Sequence, residues 1–143
     1  NLPDIAEIEE SFGFFDDWES RFEYVLDLGK RLPPMPESER TEANRVHGCQ
    51  ASVWLTMDVP RDPSPQVQMR AVSDAHIVNG LIAILLSLYN GKRPEDAARI
   101  DAESLFKRLG LEEHLSPTRR NGLHSMVQRV RALARLHAEG APR

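Results

Sequence analysis

The sequence predicts an α+β domain: a small three-stranded antiparallel sheet packed with helices contributed by both ends of the chain. Three observations carry that reading. Apolar residues alternate at every second position only between Ala51 and Val72. Helical spacing governs the chain before and after that stretch. One later segment, with Ile77, Val78, Leu81, Ile82, Ile84, Leu85 and Leu86, is apolar around nearly its whole circumference, which places a helix at the centre of the domain.

Taken in order, Asp16 followed by Glu19 reads as a capping box for a helix running to about Lys30. Trp18, Phe22, Val25, Leu26 and Gly29 share one face of it, and Gly29 with the Pro33-Pro34-Met35-Pro36 cluster is expected to end it. From Pro36 to Asn44 the chain is polar and charged, as a surface loop is. A short strand is expected near Asn44 to His47. A hairpin follows, with Ala51 to Val59 and Gln66 to Val72 as its strands and the proline-rich run Pro60 to Pro65 as its connection. Trp54 falls on the face opposite to Val53 and Leu55, so part of that face should be covered. Ser73-Asp74 opens the apolar helix, which runs to Tyr89 and stops at Asn90-Gly91. Shorter helices are expected from Pro94 and over Ala102 to Leu109. Ser116 as N-cap, with Pro117 at the first helical position, starts the last helix, whose buried stripe is Leu123, Met126, Val127, Val130, Leu133 and Ala134.

The chain has 143 residues, 41% of them hydrophobic and 28% charged, which suits one globular domain over 1–143. A formal net charge of -4 gives no electrostatic reason to bind nucleic acid or an anionic membrane. The longest apolar run, Leu81 to Leu86, is far short of the roughly 20 residues of a spanning helix. The acidic start, with Asp4, Glu7, Glu9 and Glu10, is unlike a secretory leader, and a single cysteine suits a reducing compartment, so a cytoplasmic location is expected. The composition suits a monomer or weak homodimer.

Cys49 is that one cysteine. It can close no disulfide within the chain and rules out a cysteine-only metal site. Lone free cysteines are more often small core hydrophobes than reactive groups. Here, however, Gly48 precedes it and an alternating stretch follows, so the thiol sits on a turn at a strand edge, where a partner could reach it. His47 is adjacent, but neighbours on an extended chain point to opposite faces, so adjacency does not put its ring on the sulfur. Arg119 and Arg120 fall in the first turn of the last helix, where the helix dipole disfavours cations by about 0.3–1 kcal/mol each. They are either solvated surface charges or a cationic spot for an anion or a partner's carboxylate. Asp74 reads first as a first-turn capping acid, and otherwise as a group that holds an arginine or a backbone amide beside the Cys49 loop. The five histidines show no zinc-type spacing, and no phosphate loop or serine elbow is present.

Val46-His47-Gly48-Cys49-Gln50-Ala51-Ser52-Val53-Trp54-Leu55 resembles the SufE/CsdE family of sulfur-acceptor proteins, marked by G-C, a polar residue and then V-W. Three further stretches agree in order: Leu28 to Pro33, Ser73 to Leu81, and Leu115 to Leu123. The resemblance spans about residues 5 to 137 and implies the α+β fold shared with IscU-type scaffold proteins, without their three cluster-binding cysteines. It implies that Cys49 accepts a persulfide sulfur from a cysteine desulfurase of the SufS or CsdA type and passes it to an iron–sulfur assembly scaffold complex. The pyridoxal phosphate of that chemistry belongs to the desulfurase, so no cofactor or metal is expected on this chain. Gly48, Gln50, Asp74 and Arg119 are the residues expected to position the loop or engage the partner. The alternative from the enzyme class is a single-cysteine thiol oxidoreductase or thiol transferase, which would need a small-molecule pocket beside Cys49.

Overall fold

The computed structural model describes residues 1–61 and 63–140. In chain order, helices α1 (Ile5–Phe14) and α2 (Trp18–Lys30) are followed by two single 3-10 turns, Glu37–Glu39 and Glu42–Asn44. The hairpin β1 (Val53–Asp58) and β2 (Gln68–Ser73) comes next. Helices α3 (His76–Tyr89), α4 (Pro94–Ala97), α5 (Ala102–Arg108) and α6 (Pro117–Glu139) complete the chain.

The expected α+β architecture is present, but among the described residues the sheet has two strands rather than three. The segment expected to form the third makes one bridge, Arg45 opposite Trp54, with the Val46 N–H donating to Val53 C=O at 2.9 Å. The physical reason is room. The 3-10 turn ending at Asn44 and the left-handed turn at Gly48 leave only Arg45 and Val46 extended between them. β1 begins at Val53, later than the predicted Ala51, because the next rung is half side chain. Asp74 N–H reaches Ser52 C=O at 3.3 Å, while Ser52 N–H goes to the Asp74 carboxylate at 3.1 Å. Asp62 of the proline-rich connection lies outside the described residues.

β1 and β2 are antiparallel with Val53 opposite Ser73 and Leu55 opposite Ala71. Val53, Leu55, Met57, Met69 and Ala71 turn inward onto one contiguous core. On the opposite face the Arg45 guanidinium lies over the Trp54 ring at 5.5 Å, supplying the cover expected there. The far edge of β2 is closed by side chains of α3 and of its C-cap, Asn90. Asn79 Oδ1 accepts from Ser73 N–H and its Nδ2 donates to Ser73 C=O, at 2.8 and 3.0 Å. Asn90 does the same for Met69, at 2.6 and 3.3 Å. Each carboxamide thus stands in for a strand residue.

The central helix is α3, with its run Gly80 to Leu86 fully buried. It begins later than predicted. Ser73 remains in β2, its hydroxyl accepts from Ala75 N–H at 3.1 Å, and Ala75 occupies the N-cap position, so Asp74 is not a first-turn residue. For α2 the cap is Asp17, which accepts from Ser20 N–H at 2.7 Å, and not Asp16. Gly29 does not end α2 either. It lies within the helix where α2 and α3 touch, and a Cβ there would stand 2.7 Å from Gly80 N. Helix α1, capped by Asp4 and burying Ile8 and Phe12, was not anticipated. At the other end α6 starts as predicted, with Ser116 Oγ accepting from Arg119 N–H at 3.2 Å and Pro117 next. Its buried stripe includes Leu123, Met126, Val127, Val130 and Ala134.

Candidate functional site

Cys49 sits at the tip of a loop whose base is the Val46–Val53 hydrogen bond and whose return limb is held by Asp74. Gly48 makes the tip possible: its φ of 90° is the left-handed region that side chains resist, and a Cβ there would collide with Ser125 Oγ of α6. The turn points the thiol inward. Cys49 Sγ donates to the Gly122 carbonyl of α6 at 3.5 Å, a weak hydrogen bond appropriate to a thiol.

The thiol faces a small cavity of about 20 Å³, room for about one water-sized group, between the loop, α3 and α6. Ala51, Val78, Leu81, Leu123 and Met126 give it apolar walls, while Gln50, Thr118 and Arg119 also line it. Burial in these surroundings pushes the Cys49 thiol above its ordinary pKa, and the nearby Arg45 charge acts in the opposite direction. The resting group is therefore a protonated, half-buried thiol rather than a standing nucleophile.

His47 turns away from the sulfur. It is exposed, and its Nε2 is 2.9 Å from Glu42 Oε2. Gln50 is exposed beside the thiol. Asp74 holds a backbone amide of the loop rather than an arginine. Arg119 lines the cavity from the first turn of α6, and among the described residues it is in no ion pair, whereas Arg120 is exposed and does not line the cavity. Among the described residues there is no group of three or more His, Cys, Asp or Glu side chains placed to hold a metal ion. No described helix is long and apolar enough to cross a membrane.

The sequence model of SufE, described as an Fe-S metabolism associated domain, matches residues 6–134. The chain belongs to the SufE family.

Its relatives include an uncharacterised SufE-like protein of Rhizobium meliloti, 46% identical over 134 residues that cover 93% of this chain and 96% of that one. A second, from Rhizobium etli, is 45% identical over 138 residues, 96% of this chain and 93% of that one. The solution structure of a hypothetical protein from Thermus thermophilus has the same fold, with a TM-score of 0.77 at 25% identity over 96% of this chain and 98% of that one.

In this SufE-family chain, Cys49, Gly48, Gln50, Asp74 and Arg119 come together around one loop. Sequence reasoning did not single out the α6 residues against which the loop rests. Gly122 accepts from the thiol, Ser125 Oγ donates to Gly48 C=O at 3.5 Å, and Arg129 donates to Ala43 C=O at 2.8 Å and to Arg45 C=O at 3.3 Å. The available signal was their spacing, three and then four residues apart, which puts them on one face of α6 beside the apolar stripe.

Proposed function

We propose that this protein is a sulfur acceptor that takes persulfide sulfur from a pyridoxal-phosphate-dependent cysteine desulfurase onto Cys49. It passes that sulfur to an iron–sulfur cluster assembly scaffold and stimulates the desulfurase by removing its product sulfur. The observation that carries this reading is the lone thiol at the tip of a turned-in loop, in a SufE-family chain, facing a cavity the size of one small group.

The transfer needs only a thiolate and an incoming persulfide. On meeting the desulfurase the loop swings out, the thiol loses its apolar surroundings, and its pKa falls back toward the ordinary value. Cys49 gives up its proton to solvent and attacks the outer sulfur of the desulfurase's cysteine persulfide. A new S–S bond forms on Cys49, the desulfurase's S–S bond breaks, and its cysteine leaves as a thiolate. The outer sulfur moves with no net oxidation or reduction. When the loop returns, the apolar cavity shelters the Cys49 persulfide from water and other thiols. An acceptor nucleophile later attacks the outer sulfur and restores the Cys49 thiolate. Gly48 supplies the hinge geometry, Asp74 holds the return limb, and Gln50 and Arg119 face the partner.

A thiol transferase acting on a small-molecule thiol is disfavoured, because ligand pockets run to roughly 300–1,000 Å³ and the cavity beside Cys49 holds about 20 Å³. The test is to mix desulfurase, cysteine and this protein and weigh the intact chain. The expected result is the added mass of a single sulfur atom on the wild type and none on Cys49→Ser. Sulfur gained by Cys49→Ser would overturn the assignment.

A further inference from the structure

The loop that carries Cys49 is fastened to α6 at three levels. Farthest in, the thiol itself donates to Gly122 C=O. One turn on, Ser125 Oγ donates to Gly48 C=O at 3.5 Å. One more turn on, the Arg129 guanidinium spans the stem before the loop, with Nη1 on Arg45 C=O at 3.3 Å and Nη2 on Ala43 C=O at 2.8 Å. Among the described residues Arg129 is in no ion pair, and its guanidinium hydrogen-bonds to this stem. Val46 N–H to Val53 C=O and Ser52 N–H to Asp74 tie the loop to the sheet. The loop and its stem can therefore separate from α6 by breaking side-chain bonds alone.

We infer that Ser125 and Arg129 are positioning residues that latch the Cys49 loop against α6 and set how often its thiol is exposed. Hydrogen bonds from a charged donor to a carbonyl are among the stronger ones, and Arg129 makes two from one planar head. Each bond released on opening adds to the stability of the closed loop. The fraction of open loop then scales the apparent affinity of anything that needs the open form. Arg129 also fixes the backbone of Arg45, whose charge is the cationic influence on the thiol. The inference rests on the sulfur-acceptor reading for its meaning, but the latch can be measured on the isolated protein.

The test compares Arg129→Gln, Arg129→Lys and Ser125→Ala with wild type and with Arg135→Gln, an exposed position on the same helix outside the latch. The first readout is the rate at which iodoacetamide alkylates Cys49 in the full chain at fixed pH, alongside the thermal midpoint and hydrogen exchange over residues 43–52. Arg129→Gln is expected to speed alkylation about tenfold, and Ser125→Ala about threefold. Arg129→Lys, which keeps the charge and one donor head, is expected to recover part of the slow rate. Exchange should rise over the loop, while the midpoint and the rate for Arg135→Gln stay at wild type. The second readout is desulfurase turnover as a function of this protein's concentration. Loss of the latch should lower the concentration for half-maximal turnover and leave the maximal rate unchanged, a split that mere loss of fold cannot give.

Alkylation rates at wild type in both Arg129→Gln and Ser125→Ala would overturn the latch. If Arg129→Gln fails to fold, Ser125→Ala and Arg129→Lys decide by the same rate. Faster alkylation without any sulfur transfer from a desulfurase would uphold the latch and overturn the function. Sulfur transfer with unchanged alkylation would do the reverse.

Discussion

Cys49 is a thiol held below its potential. Burial raises its pKa, so the protonated form favours the closed loop and the thiolate disfavours it. The sign follows: the closed state is fully favoured below the ordinary thiol pKa and loses that advantage as pH rises through the raised value. Alkylation of the free protein should therefore show a pH midpoint above that of an unstructured cysteine peptide. Saturating desulfurase blocked at its own cysteine should bring the midpoint down. Equal midpoints with and without the partner would remove the swing from the mechanism. Tyr89 is a second buried acid, without the same purpose. Its hydroxyl has no hydrogen-bond partner among the described residues, and burial pushes it up to about 12. Its contribution to stability is complete below about pH 10 and is lost as pH climbs toward 12. Tyr89→Phe removes this unpaired hydroxyl, so unfolding in urea at neutral pH should be unchanged or up to about 1 kcal/mol harder. The alkaline fall in stability should shrink.

At the scale of elements, the joint between α2 and α3 explains two glycines that helix propensity alone would reject. Gly80 in a helix interior forgoes about 1 kcal/mol relative to Ala. A Cβ there, however, would run into the Val25 backbone, and one at Gly29 would press on Gly80. Gly80→Ala is thus expected to lose about 1–3 kcal/mol on balance, seen as a lower urea midpoint at unchanged slope. A gain in stability would mean that the helices can part without loss. The carboxamides of Asn79 in α3 and of its C-cap Asn90 make the other joint. Asn90→Ala strips both partners from Met69 on the sheet margin and should cost about 1–3 kcal/mol in the same assay. The sequence already pointed to the hairpin, the apolar helix and the Ser116–Pro117 start, because each rests on local period or capping. It misled where long-range partners decided. Gly29 looked like a stop and is a contact. Asp74 read first as a cap, but its other reading holds, with the carboxylate on the Ser52 amide beside the Cys49 loop. Helix α1 had apolar positions at Ile5, Ile8 and Phe12, but its acidic residues masked that period.

For the molecule as a whole, the position and isolation of Cys49 were legible in the sequence, and the resemblance of four stretches pointed to Gly48, Gln50, Asp74 and Arg119 around it. The wall behind the thiol was not legible, because Gly122 is 73 residues away and no local pattern ties it to the loop. The third strand was overread for a related reason: Arg45 and Val46 have strand-like character, but the turns on either side decide how far it extends. A narrow sheet has a consequence for a protein that works by opening. Each proposed turnover pulls the loop away beside β1 and momentarily strips cover from that strand's start. A wide sheet with a bare far side could then recruit a neighbouring copy and begin a fibril. Here Asn79 and Asn90 occupy the other side of the hairpin at both ends, so an opened carrier offers no continuous ladder for a second chain to extend. On the proposed mechanism, opening the loop is therefore expected to leave the β2 edge capped against a neighbouring copy.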